Sequence, residues 1–109
     1  MPTTYKVLGQ SIPAATTATT LYTVPASTQT VVSSISICNQ VSSSATFRIA
    51  IRVAAATLAT SQYIAYDVTV GAADTTVLTL GLTLGATDVI TIYSSTATVS
   101  FAAFGSEIS

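Results

Sequence analysis

Residues 20–39 read TLYTVPASTQTVVSSISICN and hold two β-type runs joined by a short polar break. Leu21, Tyr22, Thr23 and Val24 are apolar, aromatic or β-branched, side chains that fit a pleated, half-buried surface. Pro25 ends that run, because proline lacks a ladder donor and is confined to strand ends and edges. Ala26, Ser27 and Thr28 turn the chain. From Val31 the period is two: Val31, Ile35 and Ile37 fall on one face and Ser34, Ser36 and Cys38 on the other, the pattern of a strand with one face in a core.

Towards the N-terminus, residues 19–24 extend the first of these runs into a strand, and residues 11–18, with Pro13 among alanines and threonines, read as a connection. Residues 4–10 are predicted as the first strand, with Tyr5 and Val7 alternating against Lys6. Residues 1–4, including Pro2, Thr3 and Thr4, are expected to form a loose arm able to pair with the sheet edge of a neighbouring subunit.

Towards the C-terminus, residues 40–45 are a serine-rich turn. Residues 46–53 show the cleanest alternation in the chain, predicting Phe47, Ile49, Ile51 and Val53 inward and Arg48, Ala50 and Arg52 outward. Residues 54–61 lack a helical cap and are too short for a stable helix, so a loop is expected. In the predicted strand 63–70, Ile64, Tyr66, Val68 and Val70 share one face and Asp67 takes the other. Residues 71–74 turn, and residues 77–84 place Leu78, Leu80, Leu82 and Leu84 at period two, predicting one core strand with a bulge or close neighbour at Gly81. Residues 85–88 are the next turn, 89–93 a strand, 96–104 a last strand with Val99 and Phe101 aligned, and 105–109 a tail. Seven to eight short antiparallel strands without an amphipathic helix predict an all-β, single-domain β-sandwich, jelly-roll-like, over residues 1–109.

At 109 residues the chain has room for one core. Half the residues are apolar and only 6% are charged, against about 25% in an ordinary soluble domain. The polar surface must therefore be mostly Ser and Thr hydroxyls. A net charge of −1 gives little repulsion between copies, which predicts a homo-oligomer or a surface covered by partners. Lys6, Arg48 and Arg52 are too few for a phosphate-binding patch, so no direct nucleic-acid contact is expected. A single cysteine, Cys38, excludes an intrachain disulfide, and without histidine no Cys/His zinc site forms. No cofactor or metal is expected. The opening Met-Pro-Thr-Thr-Tyr-Lys lacks the apolar core of a signal peptide, and no run approaches a membrane span, so synthesis in a host cytoplasm and no membrane contact are expected.

The chemistry available to such a chain is narrow. Asp67, Asp74, Asp88 and Glu107 are the only acids. A glycosidase needs two of them across a cleft, but Asp74 and Asp88 sit at turns, where aspartate ordinarily bonds its own backbone. Serine nucleophiles lack a histidine base, and Lys6 is a poor substitute, so no enzyme is expected. Arg48 and Arg52 share an outward face about 13 Å apart at ~3.3 Å per residue. Either they grip acidic groups on a partner or, more plainly, they pair across the sheet with Asp67 or stay solvated. Tyr22, Tyr63, Tyr66 and Tyr93 suit a sugar-stacking platform, against the plainer reading of core-edge residues with a wet hydroxyl. Cys38 reads as an inert small hydrophobe rather than a reactive thiol.

Five segments carry a resemblance: LYTVPA at 21–26, VVSSISICN at 31–39, YIAYD at 63–67, GLTLGATD at 81–88 and FGSEI at 104–108. In that order they resemble small virion structural proteins of tailed bacteriophages, of the kind carried by cyanobacterial or other aquatic phages. Similar modules have a glycine in the first turn, where this chain has Ser27. The resemblance implies a non-catalytic capsid cement or decoration protein, most simply a trimer, bound to the major capsid protein lattice and located in the virion. Its alternatives are a tail, neck or fibre component and, in another class, a carbohydrate- or receptor-binding module. The partner-binding residues expected are Pro2, Thr3 and Thr4 of the arm with Arg48 and Arg52.

Overall fold

The computed structural model describes residues 3–79 and 81–109. Nine strands are described: β1 (Thr3–Ser11), β2 (Thr19–Thr23), β3 (Gln29–Asn39), β4 (Ala45–Arg52), β5 (Tyr63–Val70), β6 (Thr75–Leu78), β7 (Leu82–Leu84), β8 (Val89–Ser94) and β9 (Val99–Ile108). Two short 3-10 turns, Val53–Ala55 and Thr60–Gln62, lie between β4 and β5. The strands form two antiparallel sheets. One runs β1-β9-β3-β6, with β7 also on β3, and the other runs β2-β8-β4-β5. Counting β6 and β7 as the two halves of one broken strand gives the interleaved order of a jelly-roll sandwich, as the sequence predicts.

The inner faces supply Val32, Ile35, Ile37, Phe101 and Ala103 from the first sheet and Phe47, Ile49, Ile90 and Ile92 from the second. Phe47 and Phe101 meet edge-on across the two layers, with centroids 6.2 Å apart, the geometry aromatic quadrupoles prefer. Alternation therefore sets which side chains are buried, with four corrections.

In β3 the register slips between Val32 and Ser34. This bulge turns Val32 into the core and leaves Val31 on the outer side, half-buried. Val53 is 65% exposed rather than inward, because the chain leaves β4 at Arg52 and enters a 3-10 turn. The predicted strand 77–84 is two strands: β6 pairs with Ile35–Cys38 and β7 with Thr30–Val32. Gly81, in the break between them, has φ +62° and open space where a Cβ would stand, so the glycine answers to its backbone conformation and not to a close neighbour. The expected core position Leu80 lies outside the described residues. Finally, residues 105–108 are no tail but the end of β9, paired on both sides. A Cβ on Gly105 would strike the carbonyl of Val31 and the Cα of Val32, so only glycine fits beside the bulge of β3.

Ser27 takes φ +56°, the left-handed conformation a glycine would adopt at this turn.

Candidate functional site

The expected partner-binding residues have different fates. Pro2 lies outside the described residues. Thr3 and Thr4 are exposed but are not a loose arm: they open β1 and pair with Ile108 and Glu107 of the same chain. β1 is an edge strand, so its other side is unpaired. Both arginines have hydrogen-bond partners within the chain. Arg52 Nε donates to the carbonyl of Ala56 at 2.7 Å and Nη2 to that of Ala55 at 3.2 Å. It holds its own 3-10 turn in place.

Arg48 is the centre of a cluster on the outer face of the four-stranded sheet. Its Nε donates to Asp67 Oδ1 at 2.6 Å and its Nη2 to Asp67 Oδ2 at 3.3 Å. The guanidinium carbon lies 4.2 Å from the centre of the Tyr66 ring and 4.3 Å from that of Tyr93, so the cation sits between two aromatic faces. Tyr63 meets Tyr66 edge-on with centroids 5.0 Å apart. The hydrogen bond to Asp67 raises the Arg48 pKa, and the same bond lowers that of Asp67. The plainer of the two readings of Arg48 is thus the observed one, with the aromatic stacking added.

A bulge builds this cluster. β4 pairs Phe47 with Val68 and Ile49 with Ala65, so Tyr66 and Asp67 together stand opposite Arg48. Asp67 has φ +51° in the middle of a strand, a conformation non-glycine residues adopt at a cost. The predicted separation of Tyr66 and Asp67 onto opposite faces is therefore corrected. Of the four β5 residues expected to share one face only Val70 is buried; Ile64, Tyr66 and Val68 are 40–54% exposed. Thr91, paired with Ala50 beside Tyr63, is buried on the same outer face, and its hydroxyl has no hydrogen-bond partner among the described residues.

Tyr22 does not join the platform. It is buried between the sheets, where it donates to Glu107 Oε2 while the Thr30 hydroxyl, at 2.8 Å, completes the pair. Burial, then the bond to Glu107, pushes the Tyr22 pKa up to about 12. Glu107 also accepts from Lys6 Nζ at 3.2 Å; the Tyr22 bond and then Lys6 hold its carboxyl below the ordinary value against the opposing effect of burial.

Asp74 and Asp88 do what turn aspartates are expected to do. Asp74 accepts from the Thr75 amide at 2.8 Å, and Asp88 accepts from Gly85 at 2.9 Å and from Ala54 at 2.8 Å. Among the described residues no group of three acids, histidines or cysteines gathers to hold a metal. Cys38 is half-buried on the outer side of β3, between Ser100 and Thr75. Among the described residues no helix is long and apolar enough to cross a membrane.

The other outer face, on the five-stranded sheet, carries no charged side chain among its described residues. By alternation it presents Tyr5, Val7, Phe104, Val77 and a set of Ser and Thr hydroxyls, with Tyr5 83% and Val77 58% exposed. Where β1 leaves β9, a shallow recess of about 370 Å³ is lined by Gln10, Ile12, Phe101 and Ala102. Comparison of the chain with protein-family models, with curated proteins and with solved structures finds no match.

Proposed function

We propose that the chain is a non-enzymatic virion component of a tailed phage, a cement or decoration protein that lies on the major capsid protein lattice as a homo-oligomer, a trimer. The observation that carries this reading is the uncharged outer face of the five-stranded sheet. A sheet face of hydroxyls with exposed Tyr5, Val7 and Val77 gives affinity by shape, apolar burial and hydrogen bonds, and it repels no neighbouring copy. The free side of β1 supports assembly as well. Thr3–Val7 pairs with β9 without a slip, and such an unpaired edge accepts a strand from a neighbour. The acids support the absence of catalysis, since each is engaged by an arginine, a lysine, a tyrosine or a turn amide.

The test is reoccupation of particles that lack the protein. Purified chain should decorate them in proportion to the shell subunits, and binding should persist in ~1 M salt, where the Debye length is ~3 Å. Tyr5→Lys and Val77→Lys, both at exposed positions, should fold normally and fail to bind. Full binding by both variants, or release of the wild-type chain by moderate salt, rejects this face as the contact. A copy number of only a few per particle moves the chain from the shell to the tail, neck or fibre.

A further inference from the structure

We propose that the cluster around Tyr66, on the opposite face from the shell-binding surface, is a binding site for a neutral sugar: a hexopyranose of gluco or galacto configuration within a glycan. Tyr66 is 54% exposed as a residue, yet its ring is already fixed, with Arg48 at one face and Tyr63 at right angles to it. A ring held this way stacks on a ligand with little further loss of rotamer entropy. The C–H face of a pyranose carries slightly positive hydrogens, which the negative face of an aromatic ring attracts.

Hydroxyls of the same sugar find acceptors at the rim. Asp67 is half-exposed and spends one lone pair on each oxygen with Arg48, leaving the others for hydroxyl donors. The arginine and the aspartate cancel in charge, which favours a neutral ligand over an acidic sugar or a phosphate. The buried Thr91 hydroxyl, two residues from Tyr93 on β8 and separated from Tyr63 by Ala50, has no hydrogen-bond partner among the described residues and is a second sign that this face lacks a polar partner. The left-handed Asp67 is a third: backbone strain in mid-strand brings a carboxylate and an aromatic ring opposite one arginine. A protein strand is the less suitable occupant. Two register slips in β5 interrupt the edge that strand addition would use.

The full chain, labelled with ¹⁵N, is titrated with methyl β-D-glucopyranoside and methyl β-D-galactopyranoside into the high millimolar range. At least one should give saturable shifts centred on Tyr63, Tyr66, Asp67 and Tyr93. Tyr66→Ala should weaken that binding about tenfold or more, a loss of about 1.4 kcal/mol, while Tyr66→Phe keeps the ring and the affinity. Asp67→Asn, which tolerates the left-handed backbone, should keep the fold by circular dichroism and weaken binding. No saturable shift with either sugar overturns the proposal, as does sugar binding that survives Tyr66→Ala. Loss of a protein contact by Tyr66→Ala with no sugar binding also overturns it and makes the face a protein interface. Lysine substitution on the other sheet leaves this result unchanged, so the two readings fail separately.

Discussion

On the five-stranded sheet, β3 and β9 lie side by side through ten paired residues with one slip, whereas on the four-stranded sheet β4 and β5 slip twice within five pairs. The long ladder yields an outer face on which no charged side chain stands among the described residues. The interrupted one gathers Arg48, Asp67 and three tyrosines into a single spot. Regular pairing produces area, and irregular pairing produces chemistry, because a bulge alone can put two consecutive side chains opposite one partner.

The comparison supposes that both faces belong to one cooperative sandwich, and the most damaging change should be at its centre. Phe47→Ala leaves a void between the layers where Phe101 packs and should cost about 3–5 kcal/mol, read from the denaturant midpoint. Retention of near wild-type stability would mean that the sheets do not fold as a unit.

Next comes Gly105→Ala, which tests whether the long ladder depends on a backbone contact at its own bulge. The added methyl meets backbone on β3, so a loss of about 1–3 kcal/mol is expected. Gly81→Ala, with positive φ but open space, should cost no more than about 1–2 kcal/mol.

Tyr22→Phe removes the hydrogen bonds that tie β2 to β3 and β9, at about 1–3 kcal/mol, and it should alter the pH profile. Glu107 titrates lower in the folded chain than in the unfolded one. Its contribution is complete above the ordinary glutamate pKa of about 4.3 and is lost as pH falls below it. Tyr22 titrates higher when folded, so its contribution is present below pH ~10 and is lost as pH rises towards about 12. Thermal melts from pH 2 to 12 should show both limbs in the wild type and a flatter alkaline limb in Tyr22→Phe. Glu107→Gln should flatten the acid limb.

The smallest effect on stability is expected from Arg48→Met. Its pair with Asp67 is partly exposed, at 23% for the Arg48 side chain and 46% for that of Asp67, and methionine keeps an apolar stem between Tyr66 and Tyr93, so little folding energy is lost. A fall in melting temperature as large as that of Tyr22→Phe would show that the tyrosine cluster holds the four-stranded sheet together, which would weaken its standing as a ligand site.

Much of the architecture was legible because one face of each strand is buried: Phe47, Ile49, Ile35 and Ile37 declare their sheets by period alone. The broken strand was not. Leu78 and Leu82 both pack on the core, opposite Ile35 and Val32, so the period-two leucines of the sequence carry no sign of the break between the two strands. The cluster was half legible. Arg48 with Asp67 follows from neighbouring strands, whereas Tyr66 was expected on the face opposite Asp67 and joins them only through the bulge. The bulge that unites them left no mark, since the left-handed residue is an aspartate rather than a glycine. Tyr22 read as an edge residue for the same reason: the slip between Thr20 and Tyr22 in β2 reverses its phase.

The position of β9 also governs when the sandwich can form. β9 lies between β1 and β3, yet β1 ends at Ser11 and β9 begins only at Val99. During synthesis β1 therefore has no ladder partner until nearly all of the intervening chain has emerged, and β3 waits for its longest one. Closing so distant a pairing is slow, and the waiting strands are open to capture by other nascent copies. A chain of this topology should gain yield from slower, cooler expression, with the soluble fraction set by how long its β3 edge stays bare.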